Sequence, residues 1–165
     1  MLRPLMADDQ DFVLELYAST RPDLDEIACD AISRAQLVRM QCHAQQHHYR
    51  AFYPRAQASL VVARDGTRLG RIYIDHGPDE IRLVDISLLP QYRRQGIGRQ
   101  LLGGLLAEGE RLGLPVRLSV MSGNPAAHLY QRLGFEAGEL RGAYQFMEWR
   151  SPAMRAADQQ PVSLL

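Results

Sequence analysis

The segment Leu88-Leu89-Pro90-Gln91-Tyr92-Arg93-Arg94-Gln95-Gly96-Ile97-Gly98-Arg99 decides how the chain is read. It lies between an apolar run, Ile81 to Leu89, and a leucine-striped stretch holding Leu101, Leu102, Leu105, Leu106 and Leu112. A strand that stops at a proline and a helix that starts at glycines make a strand-to-helix turn. Gly96 and Gly98 remove Cβ atoms where backbone approaches a ligand, successive N–H groups turn into one concavity, and the helix start adds about half a positive charge. Arg93, Arg94 and Arg99 concentrate cations at a helix end that disfavours them unless an anion visits. A diphosphate suits such a cradle. The spacing R-x-x-G-x-G is neither the P-loop nor the dinucleotide fingerprint, and two glycines that merely ease the turn are the competing explanation.

Upstream, Met1 to Pro4 reads as a short extended piece, and Asp8 with Asp11 as the start of an amphipathic helix carrying Phe12, Val13, Leu16 and Tyr17. Arg21 to Asp30 reads as a loop or broken helical turn, and Ser33 with Gln36 as a capping box for a helix over about Arg34 to His48. Leu60 to Ala63 and Thr67 to Ile74 flank Asp65-Gly66, a hairpin whose central residues both take positive φ. Downstream, Gly113 and Pro115 stop the leucine-striped helix, and Val116 to Val120 is a strand. Asn124-Pro125 opens a further helix closed by Gly134. Phe135 to Leu140 and Tyr144 to Trp149 turn around Arg141-Gly142. Ser151 to Leu165, with little periodicity, reads as a loosely ordered tail.

Composition limits the function classes. The 165 residues, 46% hydrophobic, suit one domain with one core. Nineteen basic residues balance nineteen acidic ones, which argues against nucleic acid or an anionic membrane as partner. Met1 to Asp11 lack a cationic start followed by an apolar core, and no run is long enough for a membrane span, so a cytoplasmic protein is expected. Cys29 and Cys42 form no C-x-x-C pair, and His43, His47 and His48 have no carboxylate at matching spacing, so no metal is expected.

About twenty-five residues beyond the glycine loop stands Asn124-Pro125-Ala126-Ala127-His128-Leu129-Tyr130-Gln131-Arg132-Leu133-Gly134-Phe135. The two motifs, in this order and separation, resemble the GNAT superfamily of acetyl-CoA-dependent N-acyltransferases, specifically over Ile81 to Phe135 and loosely from Met1 to Trp149. The resemblance implies a single α/β (α+β) domain over residues 1–150, with a mixed, mostly antiparallel sheet of about six to seven strands and about four helices, followed by the 151–165 tail.

It also implies acetyl-CoA as acyl donor and a primary amine of a small molecule or peptide as acceptor, joined by direct attack. The segment Arg93, Arg94, Gln95, Gly96, Ile97, Gly98 and Arg99 then holds the diphosphate. Leu88 and Leu89 pair their backbone with the pantetheine arm, in a gap where the ends of Ile81 to Leu89 and Val116 to Val120 splay apart. A backbone N–H around Leu88 faces the developing oxyanion. Asn124 contacts the pantetheine or simply caps its helix. Tyr130 protonates the departing thiolate or is a core aromatic packing with Leu133.

The family's early glutamate falls here on Arg82, which cannot act as a base. Asp85 (more readily a structural carboxylate), Glu80, His48 and a water chain stay open for proton removal. Gln41, Gln45 and His48 share one helix face and are candidates for acceptor binding, against a plain solvated face. A non-catalytic acyl-CoA binder on the same scaffold is the alternative function. Homodimers are frequent in the family, and the 151–165 tail is a candidate to mediate one.

Overall fold

In the computed structural model, residues 1–27 and 30–158 are described; Cys29 and the tail from residue 159 lie outside them. Seven strands form one sheet. They are β1 (Leu2–Pro4), β2 (Gln57–Val62), β3 (Arg68–His76), β4 (Ile81–Leu88), β5 (Val116–Met121), β6 (Glu136–Arg141) and β7 (Tyr144–Trp149), in the order β1-β2-β3-β4-β5-β7-β6. β1–β2, β2–β3, β5–β7 and β6–β7 pair antiparallel, whereas β4–β5 is parallel. The α/β sheet expected from the sequence is therefore present, mixed and mostly antiparallel. The helices are α1 (Gln10–Ser19), α2 (Leu24–Ile27), α3 (Ala31–Phe52), α4 (Ile97–Leu112), α5 (Ala126–Arg132) and α6 (Pro152–Asp158).

The chain divides into two compact units. The first comprises Met1–Asp75 and Val84–Gln95. Its core has two apolar clusters, one of Phe12, Leu16, Leu60, Val62 and Leu89 and one of Val13, Tyr17, Leu24, Val38 and Cys42. The spacing of Phe12, Val13, Leu16 and Tyr17 explains how α1 serves both, since i, i+1, i+4 and i+5 form one broad stripe. The helix starts differ from the sequence reading by one or a few residues. Asp9, not Asp8, is buried at the entry to α1, where its carboxylate accepts from Met6 N at 2.9 Å and from Arg3 at 2.7 Å. Asp30, not Ser33, caps α3 by accepting from Ser33 N at 2.8 Å, because an extended residue just outside the helix has the geometry to reach the third N–H. At the β2–β3 turn only Gly66 takes positive φ, +87°. The Asp65 carboxylate instead receives Thr67 N at 2.9 Å, as a short acidic side chain commonly does in a turn.

The second unit comprises His76–Leu83 and the chain from Gly96 onward. β4 and β5 are in register at Ile81–Val116, Arg82–Arg117 and Leu83–Leu118. α4 buries Leu102, Leu105, Leu106 and Gly109. Leu112, expected in the stripe, is instead 44% exposed, in the last turn before Gly113 takes left-handed φ. Gly109 has a steric reason: a Cβ there would lie 2.9 Å from Leu114 O and from Val116 Cγ2. Residues 152–158, expected to be loosely ordered, are helical in α6, whose start is fixed by the buried Ser151, its hydroxyl accepting from Met154 N at 3.3 Å. Seven residues give too few turns for periodicity to reveal.

Candidate active site

In the first unit, β4 ends at Leu88 and leads into a short 3-10 turn over Pro90–Tyr92 with proline at its start. Leu89 is fixed on three sides. Its side chain is buried, its N–H donates to Leu69 O at 2.9 Å, and its carbonyl accepts from Tyr92 N at 2.9 Å. The strand-like pairing expected of Leu88 and Leu89 with a ligand is thus already met within the protein at Leu89. Arg93 Nε donates to Leu88 O at 2.7 Å, and Arg93 Nη2 reaches Ser19 at 3.4 Å. Arg94 then takes φ +59°, a left-handed conformation that side chains other than Asn and Asp seldom occupy. Gln95 anchors the loop by donating from Nε2 to Gln91 O at 2.6 Å.

In the second unit, Gly96 takes φ +82° at the N-cap of α4. The first helical hydrogen bond is Gln100 N to Gly96 O at 3.0 Å, so the N–H groups of Ile97, Gly98 and Arg99 precede the helix's own ladder. A Cβ at Gly96 would meet nothing within 4 Å, and one at Gly98 only Leu129 Cδ2 at 3.7 Å. Neither glycine is there to relieve crowding inside the protein. Arg93, Arg94 and Arg99 are exposed. The start of α4 thus offers open backbone donors with the exposed Arg99 beside them, the chemistry of an oxyanion-rich ligand.

The acetyltransferase (GNAT) family model matches residues 15–135. The chain belongs to the GNAT acetyltransferase family. The Escherichia coli [ribosomal protein bS18]-alanine N-acetyltransferase is 43% identical over 68 residues, 40% of this chain and 46% of that protein. The chain thus spans about half the length of the curated relatives it matches. Among solved structures, the PaiA N-acetyltransferase from Thermoplasma acidophilum, in complex with coenzyme A, has a TM-score of 0.68 at 18% identity, covering 92% of this chain and 98% of that one. An acetyltransferase from Thermus thermophilus has a TM-score of 0.64 at 16% identity, covering 92% and 96%. At these identities the structures establish the GNAT fold.

The other motif of this GNAT chain stands at α5. Asn124 Oδ1 accepts from Ala126 N at 2.9 Å, so its side chain caps the helix. Tyr130 is buried, with its ring edge-on to Phe135 at 5.7 Å. Arg82 donates to Glu80 at 2.9 Å, and Glu80 also accepts from Arg117 at 2.6 Å. Arg117 continues to Glu148, which accepts from Arg150 at 2.7 Å. Glu80 is therefore a member of an ion-pair chain. A cavity of about 560 Å³ bordered by Glu136, Phe146, Glu148, Arg150 and Arg155 holds none of the residues singled out by sequence.

Of the three acceptor candidates, two point to partners and one to solvent. Gln41 Oε1 accepts from Arg21 Nη1 and lies 3.4 Å from Tyr17 Oη. Gln45 Oε1 accepts from Arg71 Nη2 at 3.0 Å. His48 is exposed and stacks on Phe52 at 4.4 Å, so it does not join the glutamines. Arg71 is the residue that motif reading missed. It is 2% exposed and grips Asp85 Oδ2 with Nη2 at 2.7 Å and Nε at 3.2 Å. Its guanidinium also lies 5.1 Å from the Tyr73 ring centre. The chain carried only part of the signal: Arg71 is the one charged residue in Leu69 to Ile74, but Ile81 to Leu89 holds both Arg82 and Asp85, so sequence does not say which of them it meets. Opposite charges inside neighbouring apolar strands are expected to meet. Among the described residues no cluster of His, Cys, Asp and Glu could hold a metal, and no helix is long and apolar enough to cross a membrane.

Proposed function

We propose that this chain transfers an acetyl group from acetyl-CoA to a primary amine of a small molecule or peptide, by direct attack within a ternary complex. The observation that carries the reading is the loop conformation. Arg94 and Gly96 both sit at left-handed φ, and the chain between them leads into open backbone donors at the start of a 16-residue helix. Such a site suits the diphosphate of coenzyme A, with Ile97, Gly98 and Arg99 N–H groups as donors, Arg94 and Arg99 as flanking cations, and Arg93 tying the loop to the end of β4. Gln95 fixes the loop and Leu88 offers strand-edge backbone to the pantetheine arm. Asn124 acts through the helix it caps.

The neutral amine attacks the thioester carbonyl carbon, the C–S bond breaks, and the electron pair leaves on sulfur. The Tyr130 hydroxyl donates a proton to the thiolate, and the proton lost by the amine nitrogen returns through solvent to the phenolate. No covalent enzyme intermediate is required. The relatives named as alanine N-acetyltransferases of a ribosomal protein favour an amine acceptor. The test is calorimetric titration with acetyl-CoA, coenzyme A and dephospho-coenzyme A, repeated on Gly96→Glu. Binding to the wild type, weakened at least about tenfold by a carboxylate placed at the helix start, supports the reading. Absence of binding to all three removes it.

A further inference from the structure

The two edge strands of the sheet are guarded differently. β1 has three residues and ends in Pro4, and shortness and proline both discourage a further strand. β6 has six residues, Glu136-Ala137-Gly138-Glu139-Leu140-Arg141, with no proline or lysine, and all six are exposed. Among the described residues no strand pairs with its outer edge. Its side chains are arranged about its centre. Glu136 and Arg141 stand at the two ends, Ala137 and Leu140 one place in, and a bulge at Gly138 and Glu139 lies between them. The bulge decides which way they face. Glu136 pairs with Glu148 and Arg141 with Tyr144, four apart on β7, so both leave the same face; Ala137 and Leu140, opposite Met147 and Gln145, share the other face. Without the extra residue, positions five apart would point to opposite faces. At the bulge itself the Gly138 carbonyl accepts from Gln145 Nε2 at 2.9 Å, so the break in the ladder leaves that oxygen satisfied.

We infer that β6 pairs antiparallel with β6 of a second copy of this chain, about a two-fold axis at the bulge, joining two seven-stranded sheets edge to edge. A two-fold axis perpendicular to the sheet keeps each side chain on its face, so only residues that share a face can stand opposite each other. Glu136 then meets Arg141 of the second copy and Ala137 meets its Leu140, and symmetry makes each contact twice. Leu140, 58% exposed in the single chain, is covered by the pairing. Bulges and charges commonly guard an edge; here the charges complement a two-fold copy, and the bulge supplies the faces they need. Charge also selects the arrangement over its rivals. Parallel pairing in register would set Glu136 on Glu136 and Glu139 on Glu139, like charges directly opposite. A two-fold axis at Leu140 would oppose Glu139 to Arg141, but it pairs only three residues before Gly142 turns the chain at φ +59°. The axis at the bulge uses the whole strand. Little is given up in exchange, since the Glu136 side chain is 73% exposed where it meets Arg155 at 3.0 Å, and exposed ion pairs contribute little.

The test is sedimentation equilibrium of the full chain across about 1–100 µM, the range of weak and transient pairs, where a monomer–dimer equilibrium is expected. Glu136→Arg and Arg141→Glu each set like charges opposite at both symmetric contacts and are expected to weaken dimerisation at least about tenfold. The double variant Glu136→Arg with Arg141→Glu restores opposite charges across the axis, though not the pair with Arg155, and is expected to dimerise within about threefold of wild type. Unchanged far-UV circular dichroism in the single variants separates a lost interface from a lost fold. A wild type that is monomeric at about 100 µM overturns the inference, as does a double variant that stays monomeric. Loss on Arg141→Glu with no effect of Glu136→Arg puts the axis at Leu140 and overturns it too. A dimer indifferent to both reversals uses another surface, the 151–165 tail included, and again overturns the inference.

Discussion

Arg93 Nε and the carbonyl oxygen of Leu88 are 2.7 Å apart, so the first arginine of the glycine loop folds back onto the strand end. If the loop holds coenzyme A as proposed, Arg93 acts by holding the loop's shape, whereas Arg94 acts as a charge. The two roles separate by salt. Arg93→Met is expected to weaken coenzyme A binding about fivefold, roughly the worth of one hydrogen bond, and to do so equally at low and high ionic strength. Arg94→Met is expected to weaken it at low salt and to approach wild type at about 1 M salt, where the Debye length falls to about 3 Å. Calorimetry at two ionic strengths distinguishes them, and equal salt sensitivity contradicts the assignment.

Gly70 is the point where β3 and β4 approach most closely among the glycine contacts of the first unit. A Cβ there would lie 2.1 Å from Ser87 O, 2.7 Å from Leu88 Cδ2 and 3.0 Å from Leu88 Cα. Backbone is on the receiving side, so Gly70→Ala is expected to lower stability by about 3 kcal/mol, the upper range for overpacking. Gly103→Ala is the contrast, since nothing lies within 4 Å of its Cβ position on the exposed face of α4. It should raise stability by about 0.5–1 kcal/mol through helix propensity. Urea midpoints at constant slope measure both.

These contacts show what could be read in the chain and what could not. The strands and major helices follow from apolar period and turn residues, and all are near their expected bounds. α6 escaped because seven residues carry too little period, whereas α2 falls where a loop or broken helical turn was expected. The glycine loop was legible because its chemistry is local in sequence. The Arg71 cluster was not, because it joins Gln45, Arg71 and Asp85 across 26 and 14 residues. A spacing pattern cannot express that pairing; only the β3–β4 register and the approach of α3 produce it. Likewise the ion pairs of Glu80 could not be read from spacing, since they draw on Arg117, which also pairs with Glu148 of another strand.

Asp9 ties β1 to the start of α1 and should give the fold an acid limb. Its carboxyl is lowered to about 2, first by the hydrogen bonds from Arg3, then by Met6 N–H and the Arg3 and Arg68 charges, against a burial that acts upward. The folded-state value lies below the usual 3.8, so the protonated form is favoured by unfolding. The stabilisation is complete above about pH 4 and is lost as pH falls through about 2. With Arg3 partly exposed, the contribution is on the order of 1 kcal/mol. Asp9→Asn should therefore cost stability at pH 7, and the gap from wild type should close between about pH 4 and pH 2. A gap independent of pH assigns the loss to helix capping instead.

Tyr130 offers the sharpest division between catalysis and packing, because one oxygen separates the two. The ring is buried and packs edge-on to Phe135, and Tyr130→Phe keeps that ring. Stability is expected to change by less than about 1 kcal/mol. If the hydroxyl protonates the thiolate, kcat falls about 100-fold while affinity for acetyl-CoA stays within a few-fold, the signature of an interaction made only in the transition state. The loss should also depend on the leaving group. A thioester of a more acidic thiol needs less proton donation, so the gap between Tyr130→Phe and wild type should narrow along a series of donors with falling thiol pKa. A uniform loss across that series means that the hydroxyl positions the donor rather than protonating it. An unchanged kcat returns Tyr130 to the core.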